Sequence, residues 1–535
     1  MPARRPRAAW ITGLLVSAVA ASTLTAVPAH AISGQPVNDS FAFTAKLDIG
    51  SQIDGQRSCS AALVAQQWLV TAASCFADNP AQSTKVPAGA PKLKTTATIG
   101  RPDLTRETGS VVDVVELVPR EDRDLVMAKL AQPVTGIAPV SLGFNTPVNG
   151  EDLWLTGYGR TKDEWAPDRL HYAKFSVGAV KDTAVSLVGK SDGAAVCQGD
   201  TGGPAFRNMN GRFELVGVNS RSWQGGCFGA DEKETRTGAI DTRVDDIAAW
   251  IQTTASRDLL RGKTWTDAQH MVPGYFTGGS PGGSRHMDLF VAWKDGSASI
   301  FQGADHNNPK YPFTAEYKVA GSGWQYAVSV AGGNFTGSGT DGLVVRWRTG
   351  EVTRFSHVDQ NGFSKEESLR PANDTWVKYA KLMTVGRYTA NALRDDLLVV
   401  WVDGSISLFD DLGTNGLKHE TQLQKAMQPG TNIEQISAGE FTGKGTADLL
   451  VRWANGSASI YPGVTATTSK AFHDEIQIRT GGSAWKNTLS VTAGAFASNA
   501  RPSDVLVRWA DGNVSLYPAV DANGTHGEED LLKQP

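Results

Sequence analysis

Ala438-Gly439-Glu440-Phe441-Thr442-Gly443, then Asp448-Leu449-Leu450-Val451-Arg452-Trp453, then Asn455-Gly456, then Ser457-Ala458-Ser459-Ile460-Tyr461-Pro462-Gly463 is the stretch that decides the fold of the C-terminal half. Its tryptophan returns at Trp293, Trp347, Trp401 and Trp509, each 52 to 56 residues from the next, so five units are present. Within a unit one strand ends at the Phe-Thr-Gly position and a second is the Asp-Leu-Leu-Val-x-Trp run. A two-residue turn follows, then an alternating third strand. Asp295-Gly296, Asp403-Gly404, Asn455-Gly456 and Asp511-Gly512 are pairs that suit a type I′ hairpin, with Thr349-Gly350 in the second unit. Segments such as 316–319 and 475–478 supply a fourth strand. Four strands in a unit of this length predict a β-propeller blade, and five units predict five blades. Asp258-Leu259-Leu260 and Asp530-Leu531-Leu532 look alike, so either end of the chain can supply the closing strand.

A tryptophan at the same place in every blade is expected to pack between blades. Ligand sites are expected in the variable loops between blades, with Trp324, Trp376 and Trp485 as candidates.

Working outward, 535 residues are too many for one domain and ample for two. Arg4, Arg5 and Arg7, an apolar run from Ala8 to Ala21 and Ala29-His30-Ala31 have the form of a signal peptide over residues 1–31. The apolar run is shorter than a membrane span requires, and no span is expected once the leader is removed. The formal net charge is −4, and loss of the three arginines makes the chain more acidic, which argues against nucleic acid as partner. The expected location is secreted and extracellular. Four cysteines, Cys59, Cys75, Cys197 and Cys227, imply two disulfides in an exported chain, and no pair has zinc spacing.

Residues 32–252 hold all four cysteines and short alternating strands such as Val111-Val112-Asp113-Val114-Val115 and Leu153-Trp154-Leu155-Thr156-Gly157. This pattern predicts an all-β sandwich or barrel. Val244, Ile247 and Ile251 fall on one face of a closing helix, with a polar connector over 252–257 and the propeller over 253–535.

Three segments of this first region, in order, are Trp68-Leu69-Val70-Thr71-Ala72-Ala73-Ser74-Cys75, Asp124-Leu125-Val126-Met127-Ala128-Lys129-Leu130 and Cys197-Gln198-Gly199-Asp200-Thr201-Gly202-Gly203-Pro204. Together with Thr156-Gly157-Tyr158-Gly159 and the closing helix, they resemble the trypsin/chymotrypsin-like serine protease family. The resemblance implies a double six-stranded β-barrel and the disulfides Cys59–Cys75 and Cys197–Cys227. It places Asp124 at the carboxylate of the catalytic triad, Ser74 at the imidazole and Thr201 at the nucleophile. A serine hydroxyl is not a base near neutral pH, so the proton acceptor the chemistry needs is missing. Threonine keeps a hydroxyl but adds a methyl and stiffens χ1.

Other implied features survive. Gly199 and Thr201 would supply the oxyanion-hole N–H groups. Asp200 would pair with the α-amino group of Ile32, the first residue after the leader. Ala195, Ser220 and Ser222 would line the substrate pocket, and a side chain at Ser222, where the family has glycine, would narrow it. The repeats in turn resemble the FG-GAP/VCBS-type repeats of secreted bacterial proteins, which often hold calcium in an Asp-rich loop. Here the loop over 442–448 carries one carboxylate, Asp448, whereas calcium asks for several hard oxygens, so calcium, other metals and cofactors are not expected.

The resulting expectation is a secreted, monomeric protease homologue that binds a protein, a peptide or a cell-surface glycan without cutting it. The alternative is a secreted serine-type endopeptidase with a rearranged site using Thr201. Its base would then be His171, the one histidine in residues 32–252.

Overall fold

A computed structural model describes residues 35–36 and 41–534 apart from 52, 54, 192, 306, 320, 338, 360, 427–431, 466–472 and 499–500. The expected leader and Ile32 lie outside the described residues. The first half forms two closed six-stranded barrels and the second half a five-bladed propeller.

A short strand, β1 (Gln35–Pro36), precedes the first barrel. That barrel is built from β2 (Thr44–Ile49), β3 (Arg57–Ala65), β4 (Trp68–Thr71), β5 (Thr95–Ile99), β6 (Ser110–Pro119) and β7 (Val126–Leu130), paired in the order β2-β3-β4-β7-β6-β5. After the two-residue β8 (Ser141–Leu142), the second barrel comprises β9 (Asp152–Gly157), β10 (His171–Val180), β11 (Ala184–Gly189), β12 (Pro204–Met209), β13 (Arg212–Ser222) and β14 (Ala239–Arg243). It closes through β9 pairing both β10 and β12. Trp68-Leu69-Val70-Thr71 is buried on both faces because it is a central strand. One apolar core joins Phe41, Phe43, Leu63 and Val70 of the first barrel to Phe206, Leu215 and Val218 of the second. The second barrel has its own core of Leu153, Leu155, Phe175, Leu187 and Val216. The barrels are thus fused along one side, and the loops on the open side face each other across a cleft.

The closing helix runs farther than the apolar spacing alone suggests. A 3₁₀ turn (Asp245–Ile247) leads into α1 (Ala248–Ser256), which absorbs most of the expected connector. Residues 252–256 contain no Gly or Pro to stop it, and Ser256 Oγ donates to the Gln252 carbonyl inside the last turn. The connector after it is clamped: Asp258 meets Lys129 at 2.7 Å, Arg257 meets Glu116 at 2.5 Å, and Lys263 meets Glu316 of the first blade at 2.8 Å.

Each blade is one antiparallel four-stranded sheet. The innermost strands are Ala268–Gly274, Ala327–Gly333, Ala380–Gly386, Ile433–Gly439 and Thr488–Gly494, and the second strands carry the recurring tryptophans. The ring closes without strand exchange: Glu529–Leu532 is the outer strand of the fifth blade, and Asp258-Leu259-Leu260 is not a strand. Side-chain and backbone bonds across the seam do the closing, with Met287 N donating to the Ala495 carbonyl at 2.8 Å and His286 Nδ1 bonding the Phe496 carbonyl at 2.9 Å.

Two expectations about the repeats are corrected. The hairpin turns are three-residue loops, not two-residue type I′ turns. In the first blade Gly296 N donates to the Trp293 carbonyl and Trp293 N to the Ser297 carbonyl. Only the glycine has positive φ, +87° at Gly296, whereas type I′ needs it at both central residues. The aspartate instead accepts from the N–H two residues on, Ser297 N to Asp295 Oδ1 at 2.9 Å. Second, Trp324, Trp376 and Trp485 are 2–4% exposed and pack on their neighbours, Trp324 against Trp347 and Trp376 against Trp401. They belong to the blade contacts, as does Trp265, their counterpart ahead of the first blade. The recurring tryptophans also pack there, with Trp293, Trp347, Trp401 and Trp509 donating to a Ser or Thr hydroxyl six residues on.

Candidate functional site

The cleft between the barrels has a volume of about 1270 Å³ and is lined by Ser74, Asp124, Gly199, Thr201 and Ser220 among others. The fold brings together three separate loops. Ser74 sits in a 3₁₀ turn (Ala73–Cys75) directly after β4, and the Cys59–Cys75 disulfide ties that turn to β3. Asp124 immediately precedes β7, which pairs with β4. Thr201 lies in the loop before β12, pinned by the Cys197–Cys227 disulfide.

Asp124 is fully engaged by small groups. Ser74 N donates to Oδ1 at 2.7 Å, Ser74 Oγ donates to Oδ2 at 2.9 Å, and Ser220 Oγ donates to Oδ2 at 2.7 Å. The carboxylate therefore orients two hydroxyls and no imidazole. Among the described residues Thr201 Oγ1 makes no hydrogen bond. His171 is buried on β10, opposite Gly157 of β9, and is not among the residues lining the cleft.

The loop around Thr201 is held by its backbone. Asp200 N donates to the Cys197 carbonyl, Gly203 N to the Asp200 carbonyl and Ser60 N to the Thr201 carbonyl, at 2.8–3.0 Å. Gly199 has φ +99°, and a Cβ there would fall 2.7 Å from Gly159 Cα, so this position admits only glycine. Among the described residues neither Gly199 N–H nor Thr201 N–H donates within the protein.

Asp200 is completely buried and accepts from Gly159 N at 2.8 Å and Cys197 N at 2.9 Å. Burial outweighs those two bonds and pushes its carboxyl up to about 7. The glycines of Thr156-Gly157-Tyr158-Gly159 make room for it, since a Cβ at Gly157 or Gly159 would strike the Asp200 side chain. Its expected partner, Ile32, lies outside the described residues.

The pocket residues separate by role. Ala195 is fully buried, and Ser220 serves Asp124. Ser222 Oγ donates to the Val196 carbonyl at 2.5 Å, a bond that crosses from β13 to the segment ahead of Cys197. Sequence reasoning missed Asp241, a fully buried carboxyl on β14 that lines the same cleft. With its amide turned so that nitrogen faces β14, Asn219 donates to both Asp241 oxygens at 3.0 Å. Burial raises that carboxyl well above its ordinary value. A lone Asp in an Ala-Ile-Asp-Thr-Arg strand gives no signal of this until its strand partner is known.

In the propeller, Asp395, Asp396 and Asp411 bring carboxylate oxygens within 4.8 Å of one another. The sequence reading judged calcium from the fourth unit and overlooked this third-blade group. Most of its carboxylate oxygens accept hydrogen bonds. Asn391 Nδ2 donates to Asp395 and Asp411, Gly413 N donates to Asp395, and Asp396 accepts from the N–H groups of Tyr388, Thr389 and Asp411. Among the described residues no helix is long and apolar enough to cross a membrane.

The Trypsin family model matches residues 31–251. Chymotrypsin-like elastase family member 1 of Macaca fascicularis is 30% identical over 229 residues, 37% of this chain and 78% of that protein. Transmembrane protease serine 11G of Rattus norvegicus is 29% identical over 228 residues, and CLIP domain-containing serine protease B15 of Anopheles gambiae is 26% identical over 231. The chain spans half the length of the rat protein and 60% of the mosquito protein. The double barrel with its cleft, two disulfides and these relatives define the class: the chain belongs to the trypsin-like serine protease family. Within that family it is a homologue that carries a five-bladed propeller behind the barrels.

Proposed function

We propose that this chain is a secreted, non-proteolytic member of the family, in which Ser74 and Thr201 replace the catalytic histidine and serine and the cleft binds without cutting. The observation that carries this reading is the saturation of Asp124 by Ser74 and Ser220 while Thr201 Oγ1 has no base. Nucleophile activation needs a group that accepts the hydroxyl proton, and a serine hydroxyl does not. Purified protein is expected to turn over neither peptide nor ester substrates, in calcium or in chelator, and to resist a serine-directed phosphonate. Robust hydrolysis abolished by Thr201→Ala would overturn the reading.

The partner is a protein, a peptide or a cell-surface glycan, shared between the cleft and the loops of the propeller, and the protein acts as a monomer without cofactor. A pull-down with the mature chain against secreted proteins, cell wall and a glycan panel is expected to retain a ligand; failure across all three removes the binding role.

The same reading has Ile32 as the mature N-terminus, paired with Asp200. Unpaired, the Asp200 carboxyl holds its proton up to about pH 7 when folded, against 3.8 ordinarily. That favours the folded state at low pH, and the advantage is lost as pH rises from about 4 to about 7. A chain extended ahead of Ile32 is therefore expected to lose thermal stability across that window, Asp200→Asn to remove part of the slope, and a chain starting at Ile32 to flatten it. Identical slopes for the extended and trimmed chains would exclude the pair.

A further inference from the structure

We infer that the cleft takes an acidic peptide segment, its carboxylates received by Arg160 and Arg221. This rests on the reading of a binding cleft without hydrolysis. Most charges in the cleft are already spent. Asp48 is paired with Lys46, Asp78 with Lys92 at 2.8 Å, and Asp122 with Arg120 and Arg123 at 2.9 and 3.0 Å. Asp124 is held by Ser74 and Ser220, and Asp241 by Asn219. Arg123 is also committed to Asp246 at 2.8 Å, and Arg57, which donates to the Ala77 carbonyl, acts electrostatically on the carboxyl of Asp78. Arg160 and Arg221 line the same cleft, and among the described residues neither has a carboxylate partner.

Both arginines are presented by fixed backbone. Arg221 follows Ser220 on β13 and pairs with Ile240 of β14. Arg160 N donates to the Gln198 carbonyl at 2.8 Å, which sets it beside the loop that carries Thr201. Its guanidinium lies 3.3 Å from the centroid of Trp165, and Phe228 meets Trp165 edge-on at 6.2 Å. Thr161 Oγ1 accepts from Asp163 N and Glu164 N, which fixes the turn leading to Trp165. A stacked guanidinium keeps its in-plane N–H edges free for a carboxylate, and its order is established before binding. Trp165 remains 59% exposed, a residue type that dominates interface energetics when covered.

Among the described residues Arg160 and Arg221 are thus unspent cations of the cleft, and the Gly199 and Thr201 N–H groups add donors beside the neutral Thr201 hydroxyl and the Gln198 and Gln224 amides. Such a wall selects a ligand rich in acceptors and negative charge. The paired acids Asp48, Asp78 and Asp122 lie among them, which disfavours a continuous polyanion and suits separated carboxylates along an extended peptide.

The test titrates the full chain with a short peptide of Glu residues spaced by Gly and Ser, followed by tryptophan fluorescence and calorimetry. Its Gln counterpart, a Lys counterpart and a heparin fragment serve as comparisons. The Glu peptide is expected to bind at least about tenfold tighter than the Gln peptide, with affinity falling as salt rises. Arg160→Gln and Arg221→Gln are each expected to weaken it about tenfold, with thermal melting unchanged. No binding of the Glu peptide, equal affinity for the Gln peptide, tighter binding of heparin, or indifference to both substitutions overturns the proposal. Cleavage of a bound peptide instead overturns the non-hydrolytic reading, so the two failures are read separately.

Discussion

The double substitution Ser74→His with Thr201→Ser is expected to raise hydrolysis of an activated ester by on the order of 10³-fold over the parent chain. The carboxylate that would orient the new imidazole is in place. Asp124 stands where an imidazole Nδ1–H would replace the Ser74 hydroxyl as donor, and Ser220 Oγ supports the same carboxylate oxygen. The backbone bond from Ser74 N to Asp124 Oδ1 does not depend on the side chain and survives the change. Serine at position 201 removes the methyl that stiffens χ1. Each single substitution is expected to recover far less, since a base without an accessible nucleophile, or the reverse, leaves the proton transfer incomplete. A double variant that folds as the parent does and shows no gain would mean that the scaffold lacks more than two side chains. Ser222, bonded to the Val196 carbonyl, bounds what such a variant accepts, so small esters report the chemistry better than peptides.

The second large effect lies in the propeller. Asp504→Ala is expected to cost about 4 kcal/mol and to lower the unfolding midpoint by roughly 10 °C. Asp504 is 1% exposed and accepts from Phe496 N and Ala497 N at 2.7 Å and from Ala519 N at 2.8 Å. Alanine leaves the Phe496 and Ala497 N–H groups buried without a partner and the Ala519 N–H without its acceptor at the edge. Asp511→Ala in the same blade is the control. Asp511 lies at the exposed turn and accepts from Asn513, where water can replace it, so a loss below about 1 kcal/mol is expected in thermal or urea unfolding. Equal losses for the two variants would show that Asp504 is not the clip of its blade. Asp288, Asp396 and Asp448 hold the same position in other blades and bond the same loop amides. The carboxylate that begins each second strand is thereby used as a structural acceptor; in the second blade Gly342 takes its place and Asp341 accepts from Tyr275 N of the first blade.

Both halves of the fold were legible in the chain because each rests on a local pattern repeated or ordered along it. Five apolar runs of the Asp-Leu-Leu-Val-x-Trp type, each ending in the recurring tryptophan at steady spacing, leave few architectures other than a propeller. The three protease-like segments occur in the order the double barrel requires, and the two disulfides have the pairing the resemblance implies. The site was legible only as a set of positions. That Ser220 joins Ser74 on Asp124 follows from β13 being folded back across the cleft, about a hundred residues from Asp124 in sequence.

Turn type, tryptophan burial and charge pairing were not legible for the same reason. A Gly after Asp permits a two-residue or a three-residue loop, and the pairing of Trp293 with Ser297 across the hairpin selects the longer one. Trp324, Trp376 and Trp485 read as loop residues until neighbouring blades cover them. By itself the sequence determined the blades, because strand periodicity and turn punctuation act over short spans, and the resemblance carried by its ordered motifs implied the barrels and the disulfides. The tertiary structure alone decided which charges are spent and which remain, since the partners of Asp124 and Asp241 lie on other segments that meet them only when the barrels close and pack.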